Sequence, residues 1–429
     1  MKTTVQRSSL HHILAALVLI LGVFSGTWAA SGQHASGERR ATHTPAGTFT
    51  VLYSFPAGGK RDAESPEAAL IPGASGTLYG TTGYGGGFDK GTVFGLDKNG
   101  NETVLHRFRG SDGYQPSGLV RDSAGNLYGT TGFGGDATCD PAEPGCGVIF
   151  KLTKTGKFAL LHVFTGRADG DGPYAALLFD KSGTLYGTTY FGGVPCPDKL
   201  GCGTVYKLEK SGKLSILYNF TGTAGDGWGP VGKLVQDKQG NLYGLTFQGG
   251  DFTCQPQVGC GTVFKLDTNG KESILYSFTG RNGDGISPSG DLLLDSAGNL
   301  YGTTRSGGAG GVFGTVFKLD KNGKETVLHS FAGYPGDGGA PFNAGVVRDS
   351  KGNLYGTTAS GGDGCPPVGC GTVFELAPNG KETVLHNFTD GADGREPFAG
   401  LLLDGAGNLY GTAFEGGIYG AGTVFKLTP

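Results

Sequence analysis

Apolar and polar positions alternate in short runs along this chain, and glycine-rich turns separate the runs. Residues 289–331 show the pattern most cleanly. Ser289 to Asp295 is a short apolar run, followed by the turn Ser296-Ala297-Gly298-Asn299 and a second run, Leu300 to Thr304, rich in β-formers. A glycine-rich loop, Ser306 to Gly314, leads to Thr315-Val316-Phe317-Lys318-Leu319, where apolar residues recur at every second position. Asp320-Lys321-Asn322-Gly323 then reads as a hairpin turn, because Asn and Gly accept positive φ, and Thr326 to Phe331 supplies a last strand. The unit is four strands, A to D, joined by hairpins, and no stretch carries a helical period.

That unit recurs. Leu-Tyr-Gly-Thr-Thr or a near copy occurs seven times, with tyrosines at Tyr79, Tyr128, Tyr186, Tyr243, Tyr301, Tyr355 and Tyr410, separated by 49 to 58 residues. Such an array is built of units that cannot bury their apolar faces alone. Seven four-stranded units predict an all-β fold, a seven-bladed β-propeller. The frame of the repeat predicts closure too. The chain opens with a lone D-type strand, Thr48 to Phe55, and closes with a C-type strand, Thr423 to Leu427. Three strands at one end and one at the other complete a seventh blade in a ring, whereas an open stack would leave two bare edges.

The order GNLYGTT, GG, GTVFKL and G-K-ETVLHSF resembles the Gloeo-Verruco (GloVer) extracellular tandem repeat over about residues 47–429. The resemblance implies export and a repeat scaffold; it brings no catalytic residue. Members carry various C-terminal anchors, and none is recognisable before Pro429.

The N-terminus reads as a secretory signal spanning residues 1–30. Lys2 and Arg7 precede the apolar run Ile13 to Phe24, and Thr27 and Ala29 are small residues suited to cleavage after Ala29 or Ala30. The run is shorter than the ~20 residues of a membrane anchor. Residues 31–46 suit a flexible linker and residues 47–429 form the propeller, with no second apolar span. The expected location is therefore secreted: periplasm, cell surface or extracellular. Cleavage leaves 32 basic against 37 acidic residues, which gives no reason to expect nucleic acid as a partner. The eight cysteines form four close pairs, Cys139 with Cys146, Cys196 with Cys202, Cys254 with Cys260 and Cys365 with Cys370. Repeats carry both cysteines or neither, as local disulfides predict. A metal site would need more ligands than each pair offers, so no metal and no cofactor are expected.

The A–B and C–D turns are tight, while the B–C and D–A loops are long, variable and carry every cysteine. Those loops share one face, the expected binding face. Its D–A loops carry Asp62, Asp112, Asp169, Asp171, Asp226, Asp284, Asp337 and Asp393. Such a ring could meet calcium or a polyhydroxylated ligand; equally, each Asp-Gly is ordinary turn chemistry. Tyr84, Phe133, Tyr190, Phe191, Phe247 and Phe414 start the B–C loops, and Trp228 lies in a D–A loop. They offer either stacking platforms or packing between blades.

His106, His162, His329 and His386 share one position in strand D, where other units place Tyr53, Tyr218 and Tyr276. A site that accepts His or Tyr alike does not behave as a catalytic base. The leading expectation is a non-catalytic exported scaffold whose partner, an extracellular glycan or a protein, is unidentified. The alternative is a polysaccharide-active enzyme, glycosidase or lyase, using acids of the loop face. The loop of unit one, with Lys60, Arg61, Asp62 and Glu64, departs most from the consensus.

Overall fold

Each residue of Leu-Tyr-Gly-Thr-Thr has its own structural task, and together they explain the repeat. The computed structural model describes residues 47–429 apart from 58–62, 136–138, 140–144, 195 and 197–199. The expected signal and linker, and Asp62 with Lys60 and Arg61, lie outside the described residues. Among the described residues every regular element is a β-strand.

In blade two, strand A is Tyr114–Arg121, B is Leu127–Phe133, C is Val148–Leu152 and D is Phe158–Val163, all antiparallel. The leucine of strand B is buried in each blade, as with Leu127 and Leu409. The tyrosine reaches back to the A–B turn: Tyr128 donates its phenol proton to Asp122 at 3.1 Å, and Tyr243 to Asp237 at 3.0 Å. The glycine makes room for the aromatic ring of strand C. A Cβ at Gly129 would lie 2.6 Å from Phe150, and one at Gly302 would lie 2.7 Å from Phe317. In blades one, two, five and six the first threonine bolts the blade to the next: Thr130 donates to the Ala175 carbonyl at 2.9 Å and Thr357 to Ala399 at 2.8 Å. The second ties strands B and C, as in Thr304 with Thr315 at 2.9 Å. These threonines are buried, so each bond spares a hydroxyl its desolvation cost; the Thr188 and Thr412 hydroxyls, equally buried, have no partner among the described residues.

Seven blades stand in a ring. Their B strands are Leu78–Gly85, Leu127–Phe133, Leu185–Thr189, Leu242–Gly249, Leu300–Gly307, Leu354–Thr358 and Leu409–Ala413. The N-terminal strand Thr48–Ser54 pairs antiparallel with Thr423–Thr428 and becomes strand D of the last blade. Every junction between blades carries one aromatic pair. Phe55–Phe94, Phe108–Phe150, Phe164–Tyr206, Phe220–Phe264, Phe278–Phe317, Phe331–Phe374 and Phe388–Phe425 sit 5.1 to 5.4 Å apart between centroids. Such edge-on pairs add roughly 0.5–1.5 kcal/mol each beyond the area they bury. The two chain ends meet inside the last blade, where Phe49 of the N-terminal strand stacks on Phe425 at 5.2 Å.

Strand A is the irregular member. It runs ten residues in blades four and five, Gly227–Gln236 and Gly285–Leu294, but pairs over only two in blade seven, Leu402–Leu403. Its register shifts between Val231 and Val235 and between Ser289 and Leu293. There the inner strands of adjacent blades touch through glycine. A Cβ at Gly290 would strike the backbone of Ala344 and Gly345.

Candidate binding site on the loop face

The loop face is held by one joint repeated seven times. The residue before each strand-A proline has positive φ: Ser65, Gln115, Gly172, Gly229, Ser287, Ala340 and Glu396, all between 48° and 64°. Left-handed backbone is uncommon outside glycine, so a constraint must hold it. The constraint is a hydrogen bond to the preceding blade. The amides of Ser65, Gln115, Gly172, Gly229, Ser287, Ala340 and Glu396 donate to the carbonyls of Ala421, Lys90, Cys146, Cys202, Cys260, Phe313 and Cys370, at 2.8 to 3.2 Å.

Four of those carbonyls belong to disulfide cysteines. Cys139–Cys146, Cys196–Cys202, Cys254–Cys260 and Cys365–Cys370 are bonded, with Cα separations of 5.8, 5.6, 6.0 and 5.4 Å. Each bridge therefore stiffens the strut that the next blade leans on. In blade five, Phe313 packs over Gly333 where Cys139 and Cys146 pack over Gly166 in blade two. Four disulfides suit an oxidising, non-cytosolic compartment.

The D–A aspartates turn inward as loop ties. Asp226 and Asp284 are buried at 7% exposure. Asp284 accepts from the amide and hydroxyl of Thr279, from the Tyr276 phenol and from the Gly285 amide, at 2.6 to 3.1 Å. Asp112, Asp169, Asp337 and Asp393 each sit 3.0 to 3.3 Å from the Nε2 of His106, His162, His329 and His386. Burial raises the pKa of Asp112 and Asp393, but the hydrogen bonds from histidine and the loop outweigh it and hold both below the usual value. Asp171 bridges Phe191 through the backbone instead.

The D-strand position therefore has a shared function for His and Tyr: either can tie the loop aspartate. In blades three to five a glutamate of the next blade closes the cluster. His329, Asp337 and Glu382 bring three ligand atoms within 4.8 Å of one another. Tyr276, Asp284 and Glu325 stand in the same relation one blade earlier, where tyrosine takes the place of histidine.

The centre of the face is aromatic. Tyr84–Tyr114, Tyr114–Phe133, Phe133–Tyr174 and Tyr174–Tyr190 form an arc with centroids 5.6 to 6.4 Å apart. Phe342–Phe398 and Phe398–Phe414 form a second, at 5.5 and 5.0 Å. Tyr84, Tyr114, Tyr174, Phe342, Phe398 and Phe414 stay half-buried, while Phe133 and Tyr190 are nearly covered. Trp228 packs against the core between blades three and four. Gln115 donates from Nε2 to the Tyr84 phenol oxygen at 2.8 Å.

Two charged residues join these arcs into a crown. Glu67 follows the strand-A proline of blade one, and its carboxylate lies against Gly83, where a Cβ would strike it. Burial pushes the Glu67 pKa up to about 7. Arg305, after Leu-Tyr-Gly-Thr-Thr in blade five, lies over the Phe342 ring at 5.0 Å. Of the residues expected on this face, Tyr84 and Phe133 are in the crown; Asp112, Asp226, Asp284, Asp337 and Asp393 are committed to the loops around it. Tyr114, Tyr174, Phe342, Phe398, Glu67 and Arg305 had not been singled out. Their signal is disagreement between repeats: after the strand-A proline stand Glu67, Ser117, Tyr174, Val231, Ser289, Phe342 and Phe398, and after Thr-Thr or its variant Gly83, Gly132, Tyr190, Phe247, Arg305, Ala359 and Phe414.

Among the described residues no helix is long and apolar enough to cross a membrane. No curated protein matches the sequence. Among solved structures, a virginiamycin B lyase from Staphylococcus aureus, a catalytically inactive histidine-to-alanine variant with quinupristin, has a TM-score of 0.54 at 12% identity. The match covers 89% of this chain and 100% of that one. The extracellular domain of BT3049 from B. thetaiotaomicron gives 0.55 at 13% identity, over 89% of this chain and 41% of that one. That of BT4673 gives 0.54 at 12%, over 90% and 42%. Identities so low speak for a shared propeller fold alone. A family model, by contrast, matches residues 15–255 and again 253–429. The chain belongs to the Gloeobacter/Verrucomicrobia repeat family.

Proposed function

We propose that this protein is an exported binding scaffold that holds an extracellular glycan on the crown of its loop face. The crown carries the reading: half-buried aromatic rings from several blades lie side by side in two arcs, with the Gln115 carboxamide and Tyr84 phenol among them. Flat ring faces beside hydrogen-bonding groups suit the apolar faces and hydroxyls of sugars. The rigid joints around the opening support the same reading, since a preformed site loses less entropy on binding. The test is calorimetry of the mature protein against a panel of oligosaccharides, with Tyr174→Ala beside it. Saccharide binding that Tyr174→Ala weakens supports the reading; no binding by either protein ends it.

Glu67 favours a second reading, a polysaccharide-active enzyme. A carboxyl with a pKa near 7 could give or take a proton at neutral pH. Product release from the same oligosaccharides by the wild type, lost in Glu67→Gln, would replace the scaffold reading with this one.

A further inference from the structure

Arg305 differs in kind from the rest of the crown. Most of its counterparts in the other blades are apolar or glycine, and Ala359 in blade six shows that the fold does not require a long side chain there. Yet the guanidinium is drawn into protein: burial lowers its pKa, and Tyr190 opposes that shift. Tyr190 belongs to blade three, two blades before Arg305. Other arginines are tied down. Arg348 pairs with Asp295 at 3.5 Å, Arg395 pairs with Glu415, and Arg281 donates to the Thr253 carbonyl at 3.0 Å. No described residue offers the Arg305 guanidinium a hydrogen bond or an ion pair; it lies over the face of Phe342.

A guanidinium has five N–H donors in a fixed plane, and desolvating them without a partner costs free energy. Stacking on a ring fixes that plane while leaving its edge open. An open, oriented guanidinium edge matches a carboxylate, which it can bind through two parallel hydrogen bonds.

We propose that Arg305 receives a carboxylate of the bound ligand, so that the crown takes an acidic oligosaccharide built of uronate units. This rests on the crown being the binding site. The sugar rings lie on the arc from Tyr84 to Tyr190, and one uronate carboxylate lies on the guanidinium edge beside Phe342. Glu67 stands in blade one, away from Arg305. Its raised pKa lets it meet a sugar hydroxyl as a neutral carboxyl below neutrality, without repelling the acid groups.

The experiment is calorimetry of the mature protein with tri-galacturonate, an alginate trimer, a hyaluronan tetramer, neutral maltotriose and cellotriose, and an acidic pentapeptide. The variants are Arg305→Ala, Arg305→Lys and Tyr174→Ala, each checked for unchanged melting. The wild type should bind at least one acidic oligosaccharide more tightly than either neutral one, and less tightly as salt rises. Arg305→Ala should weaken that binding about 10- to 100-fold, the scale of a charged hydrogen bond. Arg305→Lys should restore only part of it. Equal binding of the acidic sugar by wild type and Arg305→Ala overturns the proposal. If Tyr174→Ala still weakens binding in that case, the crown itself survives as the site. Binding confined to neutral sugars, preference for the peptide, or no binding of any acidic sugar also overturns it.

Discussion

Phe49 lies flat against His386, with ring centroids 3.7 Å apart and planes 7° from parallel. The first belongs to the N-terminal strand and the second to blade six, so the start of the propeller is held by two blades at once. His106 and Phe158 make the same contact at 3.8 Å and 5° inside the ring. The seam thus repeats an internal joint.

Ring closure gives the first prediction. Deleting residues 48–55 should abolish cooperative folding, because Phe55 is fully buried and Val51, Leu52 and Tyr53 are half-buried in the last junction. Each such side chain contributes up to ~1.5–3 kcal/mol against a net stability of ~5–15. Phe49→Ala alone should cost about 2 kcal/mol, less than a fully buried phenylalanine. Deleting residues 31–46 should leave melting unchanged. Thermal unfolding of the three proteins checks the order, and a 48–55 deletion that melts like the parent rules out a closed ring.

Stability should depend on pH through Glu272, Glu325 and Glu382. Burial first, then the nearby Asp226, Asp284 and Asp337, raise each pKa from 4.5 to about 7; His329 opposes this at Glu382. A raised acid favours the folded state fully while protonated, below the unfolded pKa. That contribution is lost as pH climbs from about 4.5 through 7. The triple variant Glu272→Gln, Glu325→Gln, Glu382→Gln should therefore match the wild type near pH 4 and melt higher at pH 8. A difference that is the same at both pH values would contradict the assignment.

Tyr206→Phe should stabilise the protein. Tyr206 is the one tyrosine at a strand-C position where the other blades carry Phe94, Phe150, Phe264, Phe317, Phe374 and Phe425. Its hydroxyl is buried over Gly187 with no hydrogen-bond partner. Removing an unsatisfied hydroxyl should gain about 1 kcal/mol. Denaturant titration reads this directly.

Asp284→Ala should cost about 2–3 kcal/mol, since it strips four hydrogen bonds from a buried carboxylate and leaves the Thr279 amide short of a partner. From sequence alone Asp284 reads either as an exposed residue of the binding face, whose loss would hardly register, or as turn chemistry. A melting curve separates the two.

The disulfides make a local prediction. Replacing Cys196 and Cys202 by serine should cost about 2–3 kcal/mol in the chain-entropy model. The Gly229 amide, bonded to the Cys202 carbonyl at 2.9 Å, should exchange hydrogen faster than the Ser65 amide, whose partner Ala421 carries no bridge. Equal rates in the variant and the parent would mean that the bridge does not stiffen the joint.

The ring, the blade count and the disulfide pairs were legible because repetition multiplies weak local signals. Seven copies of Leu-Tyr-Gly show what Asn-Gly turns and alternation suggest only weakly once. Repetition hides the site for the same reason. Glu67, Tyr174, Phe342 and Arg305 stand where the units differ, and a consensus averages such residues away. The aspartates recur for the turn chemistry that their Asp-Gly setting also allowed: from Asp112 to Asp393 the carboxylates accept hydrogen bonds within their own loops.

The joint before each proline is made by the main chain alone, amide to carbonyl. The side chains it carries can therefore differ, from Ser65 and Gln115 to Ala340 and Glu396, while the main-chain joint stays the same. Each blade can exchange its letter at the opening without renegotiating the ring. Single substitutions, one blade at a time, can change the side chains displayed there while the frame that displays them stays put.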